Sequence, residues 1–179
     1  MKKILMTLVL VAAVTTAVSA QQKEKSNWWG GLELRDGYIL GKKTTGPDGN
    51  KPSSNNGMAF HVLGGYYLAD NVSVGLGFGI DHFSNPSFSY VPAFLDLRYH
   101  PLATSKNVVV NLQTGLPLIN NDKIYRGKFD FDLSVGYSIK VSRLNLIPAV
   151  GLNYTKYEEK TDGNGHKRNT VYVKLGITI

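Results

Sequence analysis

The chain has 179 residues, no cysteine, 19 glycines and a formal net charge of +7. Without thiols a disulfide scaffold and a thiolate metal site are excluded, and a hydrophobic fraction of 42% argues against disorder. The positive excess is too diffuse to mark a nucleic-acid binder.

In chain order, residues 1–20 read as a secretory signal: Lys2 and Lys3 lead, residues 4–14 are apolar, and Ala-Val-Ser-Ala at 17–20 is a small-x-small cleavage site. Residues 21–28 form a short polar lead-in, and residues 29–179 form one domain. After the leader no apolar run approaches the ~18–20 residues of a membrane-spanning helix. The domain instead alternates with period two, the mark of strands with one apolar and one polar face.

Leu32, Leu34, Tyr38 and Leu40 oppose Glu33, Arg35, Gly37 and Ile39, with Asp36 interrupting the apolar face. Phe60, Val62, Tyr66 and Leu68 oppose Ala59, His61, Gly65 and Tyr67. Val72, Val74, Leu76, Phe78 and Ile80 oppose Ser73, Gly75, Gly77, Gly79 and Asp81. Val91, Ala93, Leu95, Leu97 and Tyr99 oppose Tyr90, Pro92, Phe94, Asp96 and Arg98. Val108, Val110, Leu112 and Leu116 oppose Asn111, Gln113 and Gly115. The odd positions 129–141 oppose Asp130, Asp132, Ser134, Gly136, Ser138 and Lys140. Leu144, Leu146, Val150, Leu152 and Tyr154 oppose Asn145, Ala149, Gly151 and Asn153. The last segment sets Val171, Val173, Leu175, Ile177 and Ile179 against Tyr172, Lys174, Gly176 and Thr178.

Eight such segments, most near the ~9–11 residues that cross a bilayer when tilted, predict an all-β fold. The expected architecture is an eight-stranded antiparallel up-and-down transmembrane β-barrel. Residues 69–71 and 142–143 read as tight turns and 100–107 as a longer one. The other connections, 42–56, 84–87, 118–126 and 159–168, are mostly longer, as expected of a barrel with short turns on one rim and loops on the other.

A soluble carrier barrel alternates too, with its apolar side lining a cavity. The polar face separates the two architectures. It is largely Gly, Ser, Asn and Ala, which gain nothing by facing water but leave room inside a narrow lumen. Its charges, Glu33, Asp81, Asp96, Asp130 and Asp132 against Arg35, Arg98, Lys140 and Lys174 with His61 beside them, form a nearly balanced set able to pair across an interior. Tyr38, Tyr66, Tyr99, Phe129, Tyr154 and the Trp28–Trp29 pair sit near strand ends, where interfacial aromatic girdles form.

With these features the chain resembles the small eight-stranded outer-membrane barrels. Residues 90–99, Tyr-Val-Pro-Ala-Phe-Leu-Asp-Leu-Arg-Tyr with inward Asp96 and Arg98, are similar to strands of the bacterial outer-membrane β-barrel domain group. Such barrels often end in an aromatic residue, where this chain has Ile179. The resemblance implies the outer membrane of a Gram-negative bacterium, contact with outer-membrane lipid, insertion by the barrel-assembly machinery, and a monomer. The expected role is structural or interactive: surface loops carried on a closed polar interior without an open pore.

Enzyme chemistry has one foothold. His82-Phe-Ser84-Asn85 resembles the motif of the outer-membrane lipid A deacylases, which would make His82 the general base and Ser84 the nucleophile. The nearest downstream acid, Asp96, has the opposite parity, and Ser-Asn-Pro-Ser is also a common turn sequence. No enzyme is therefore expected. No two histidines fall at metal-ligand spacing, and neither a cofactor nor a metal is expected. Lys42, Lys43, Lys51, Lys156, Lys160, Lys167 and Arg168 give the loop rim a basic character, for which lipopolysaccharide phosphate is a possible contact.

Overall fold

The computed structural model describes residues 27–40, 56–84, 87–102, 107–120, 125–160, 163 and 165–179. The signal segment, residues 21–26 of the lead-in, and Lys42, Lys43 and Lys51 lie outside the described residues. The strands are β1 (Trp28–Leu40), β2 (Asn56–Ala69), β3 (Val72–Ser84), β4 (Ser87–Tyr99), β5 (Val108–Asn120), β6 (Tyr125–Tyr137), β7 (Ile139–Val141), β8 (Leu144–Glu159) and β9 (Gly165–Thr178).

β1 to β6 pair antiparallel in sequence order, β7 pairs with β8 and β8 with β9, and the pairings of β1 with β9 and of β6 with β8 close the sheet on itself. The segment expected to run unbroken over 129–141 is interrupted at Ser138. β7 carries the β6 stave on past that point and pairs with the foot of β8. Counted by staves, the fold is the eight-stranded up-and-down barrel that the alternation predicts. A main strand of 13 residues at ~3.3 Å per residue is about 43 Å long. Tilted by ~40° it spans about 33 Å, more than the ~25 Å apolar band of such barrels.

The faces follow the side-chain period. Leu76, Phe78 and Ile80 on β3 are exposed by 67, 59 and 55%, while Asp81 between the strand's outward positions is fully buried. Leu95, Val150, Leu152 and Val173 continue the exposed apolar surface around the wall. An apolar wall of this extent needs lipid rather than water against it. The carrier arrangement, with the apolar side lining a cavity, is thereby overturned, because the apolar face is outside.

Glycines on the inner face of β2 and β3 make space for rings. A Cβ on Gly65 or Gly75 would fall within 2.6 and 2.9 Å of the Trp29 indole. On Gly77 it would strike the Phe94 ring, and on Gly79 the Phe60 carbonyl and the His61 ring. The glycine stripe of β3 is therefore a steric requirement of close approach, not a turn signal. At the turn joining β7 to β8, Ser142 adopts a left-handed φ of 57°, a conformation rare for a residue with a side chain.

Three side-chain placements differ from the expectation. Lys140 is exposed on β7, because the stave past Ser138 stands at the turn rim, where an ammonium reaches water. Trp29 is not part of an outer girdle with Trp28. Neighbours on a strand point to opposite faces, so Trp28 is 66% exposed and Trp29 only 5%. Arg168 is not in a loop: β9 begins at Gly165, and Arg168 is an inward position, 4% exposed.

Candidate functional site

The interior is built in three layers, described from the rim that carries the chain's strand termini to the rim that carries the loops. The first is apolar. Trp29, Leu63 and Phe94 pack together with Tyr67 against them, and the Arg98 guanidinium lies 3.9 Å over the Trp29 ring. This is a cation–π contact, strongest where water is excluded.

The second layer is ionic. Arg98 donates from Nε to Asp96 at 3.0 Å and from Nη2 to Glu33 Oε1 at 3.1 Å. Glu33 also accepts from Gln113 at 2.8 Å and lies 3.4 Å from Lys174 Nζ. Lys174 donates to Asn111 Oδ1 at 2.7 Å, and the Asn111 amide donates to Asp96 at 2.8 Å. Beside this group Arg35 forks between Asp81 at 2.6 Å and Asp132 at 2.9 Å. His61 Nε2 meets the other Asp81 oxygen at 2.7 Å, and the Tyr172 hydroxyl donates a short hydrogen bond to Asp132. Asp130 is held by neutral groups: Asn153 at 2.8 Å, Thr155 at 2.9 Å and Tyr90 at 3.3 Å.

The third layer is aromatic. Phe83, Phe88, Tyr90 and Tyr157 cluster with Tyr125 packed on them. The Arg168 guanidinium sits among these rings, 4.6 Å from Phe83, 5.4 Å from Tyr157 and 5.5 Å from Phe88. His166 stacks on Tyr157 at 5.3 Å.

Of the charges predicted to face inward, Glu33, Arg35, His61, Asp81, Asp96, Arg98, Asp130, Asp132 and Lys174 are all buried, and Lys140 is the exception. The structure adds groups for which charge alone gave no reason: Asn111, Gln113, Asn153, Thr155, Tyr90 and Tyr172. Each has inward parity on its strand, so the parity was a usable signal where the residue type was not.

His82 and Ser84 do not form a couple. His82 Nδ1 is 2.8 Å from Ser89 Oγ, its cross-strand partner on β4. Ser84 pairs in the ladder with Ser87, and Asn85 lies outside the described residues. Asp81 is turned to the opposite face and engaged by Arg35 and His61. Among the described residues no group of three or more His, Cys, Asp or Glu side chains could hold a metal ion.

The family described as "Outer membrane protein beta-barrel domain" matches residues 7–179, so the chain belongs to that family. No curated protein sequence matches it. Among solved structures, Neisserial surface protein A is 13% identical, with 86% of this chain and 97% of that one covered, at a TM-score of 0.60. The outer-membrane protein AlkL, solved in lipid bilayers, is 15% identical over 87% of this chain and 88% of its own, at a TM-score of 0.46. A de novo designed transmembrane β-barrel is 13% identical over 87% and 98%, at 0.44.

Proposed function

We propose that this member of the outer-membrane β-barrel family is a non-enzymatic barrel that displays its loop rim at the cell surface, its lumen occupied by its own side chains rather than by a pore. The observation that carries this reading is the Arg35 fork, which reaches from β1 to Asp81 on β3 and to Asp132 on β6. An eight-stranded barrel encloses a space just wide enough for side chains to fill. Bonds between staves that are not neighbours occupy that cross-section.

The aromatic layers on either side add to this. A cavity lined by Glu33, Arg98, Asn111, Ser134 and Lys174 among others has a volume of ≈ 10 Å³, room for about one water. The rim with short turns faces the periplasm and the rim with long loops faces outward, the arrangement usual for such barrels. The loops then carry any contact with partners, and the barrel carries the loops.

Two measurements test the reading. The purified barrel in a planar bilayer is expected to show no steady conductance, and regular single-channel steps of porin size would overturn the filled lumen. An epitope inserted after Gly49 is expected to be labelled by antibody on intact cells. Labelling only after the outer membrane is opened would overturn the display.

A further inference from the structure

A second feature lies on the outer wall, just below the loop rim. Lys156 on β8 and Lys167 on β9 are direct partners in the ladder, and both are exposed. Partners in an antiparallel pair have Cβ atoms ~4.5–5.5 Å apart, and like charges directly opposite one another destabilise the sheet. Among the described residues neither lysine has an acid within ion-pair distance, although the nearby Lys128 does, with Glu158 at 2.7 Å.

The neighbourhood adds charge of the same sign. The β-bulge at Gly127/Phe129 puts Lys128 and Phe129 on the outside together, and Arg126 is exposed above them. Glu158 is the acid among these outward groups. Phe129 stands beside Lys156 in the β6–β8 ladder, and beneath lie Phe131, Leu152, Tyr154 and Val171, the apolar and aromatic wall that contacts lipid. A ligand that satisfies both levels carries anionic groups above acyl chains.

We propose that Lys156 and Lys167, with Lys128 and Arg126 beside them, form a binding site on the barrel's outer wall for the phosphate groups of a phosphorylated glycolipid in the outer leaflet. The site rests on the orientation proposed above, with the loop rim outward. The phosphate lies between the two ammonium groups and removes the repulsion that the ladder register imposes. The acyl chains run down over Leu152, Tyr154 and Val171.

The test uses the full mature barrel in neutral detergent micelles, with bound lipid counted by native mass spectrometry. Bis-phosphorylated lipid A, its dephosphorylated form and inorganic phosphate are the probes, applied to wild type and to the double variant Lys156→Gln/Lys167→Gln. One basic residue at a lipid surface is worth about fivefold in affinity, so the pair predicts a loss of roughly 25-fold for the phosphorylated lipid. The dephosphorylated lipid is expected to bind both proteins alike. Equal binding of the phosphorylated lipid to both proteins would overturn the site. Inorganic phosphate that displaces the lipid completely at millimolar concentration would overturn the lipid as its source. The boiled-against-unboiled gel shift is read on both proteins. A shift retained by the variant excludes unfolding as the cause of lost binding, and its absence from wild type would overturn the barrel reading itself.

Discussion

Replacing Arg35 by Met is the sharpest test of the ionic layer. Arg35 is 8% exposed, and its guanidinium makes charge-assisted bonds of 2.6 and 2.9 Å to two carboxylates. Breaking a buried pair by removing one partner costs about 3–5 kcal/mol, because a charge is left uncompensated. Here both acids keep something: Asp81 keeps His61 at 2.7 Å, and Asp132 keeps Tyr172 and Lys174, the latter at 3.9 Å. Met also fills part of the vacated volume. The lower end applies, about 3 kcal/mol, or about 150-fold in the ratio of folded to unfolded protein. The assay is urea unfolding in micelles, with the folded fraction read from the unboiled gel band. The triple variant Arg35→Met/Asp81→Asn/Asp132→Asn removes the stranded charges and is expected to recover most of the loss. An Arg35→Met protein within about 1 kcal/mol of wild type, with a triple variant no more stable than the single, would refute the argument.

Other consequences can be checked separately. In vesicles of brominated lipid, emission from Trp28 in the Trp29→Phe protein is expected to be strongly quenched. Trp29 in the Trp28→Phe protein is expected to be nearly unaffected, since only Trp28 is outward. Equal quenching of the two would contradict the strand's facing. Gly79→Ala drives a Cβ onto the Phe60 carbonyl, and a stability loss of about 3 kcal/mol is expected in the same urea assay, the upper part of the range for overpacking. A neutral effect would mean that β2 and β3 are farther apart. Ser84→Ala and His82→Ala are expected to leave lipid A acylation unchanged by mass spectrometry, and an altered acylation pattern would restore the enzyme. Among the described residues the β5–β6 ladder runs from Val108↔Tyr137 to Gly115↔Asp130. Gly127 N–H is held across the seam by Asn120 Oδ1, but the other amides of residues 116, 118–120, 125, 126, 128 and 129 that point across it, rather than to β4 or β8, should exchange with solvent deuterium faster than those of 108–115. Uniform protection would show the seam to be bonded.

Why so much was readable in advance comes from the period of two. Once one residue of a strand faces lipid, every other one does, and the positions between face the lumen. Glu33 and Arg35 are therefore placed inside by Leu32 and Leu34 alone, and Lys174 by Val173 and Leu175. The rule fails where a strand ends or breaks. Lys140 has the right parity, but the interruption at Ser138 carries it to the rim. Arg168 sits among polar loop residues that give no sign that β9 has begun at Gly165. The partners of a charge were not readable at all. Asp130 and Asp132 are two apart on one face, yet Asp132 meets Arg35 while Asp130 is held by Asn153, Thr155 and Tyr90. Which staves lie across the lumen depends on tilt and closure, and alternation carries neither. The same limit hid Ser89, which is the partner of His82 only because the β3–β4 register places them opposite.

The choice of β1 as the hub of the ionic layer has a consequence for how the barrel forms. A ladder fixes only neighbouring staves, and β1 is tied in this way to β2 and β9. Its inward side chains reach farther: Arg35 to β3 and β6, and Glu33 to Arg98 on β4 and Gln113 on β5. Arg35 and Asp81 share a row with only Ala59 on β2 between them, but the bonds to β4, β5 and β6 cannot form in an open sheet, where two or more staves hold the partners apart. Until β1 meets β9, the carboxylates and guanidinium groups must stay hydrated, since burying them unpaired costs several kcal/mol per ion. Closure therefore coincides with dehydration of the lumen, and each requires the other. Isolated surface ion pairs would contribute little here, with a median of about 0–1 kcal/mol. A buried set centred on the first strand instead penalises every arrangement in which that strand is not in place, including a sheet left open or a register slipped by two. The ionic layer acts on which barrel forms more than on how tightly the finished one holds, and this accounts for five acids and three strong bases in a space that apolar side chains could fill.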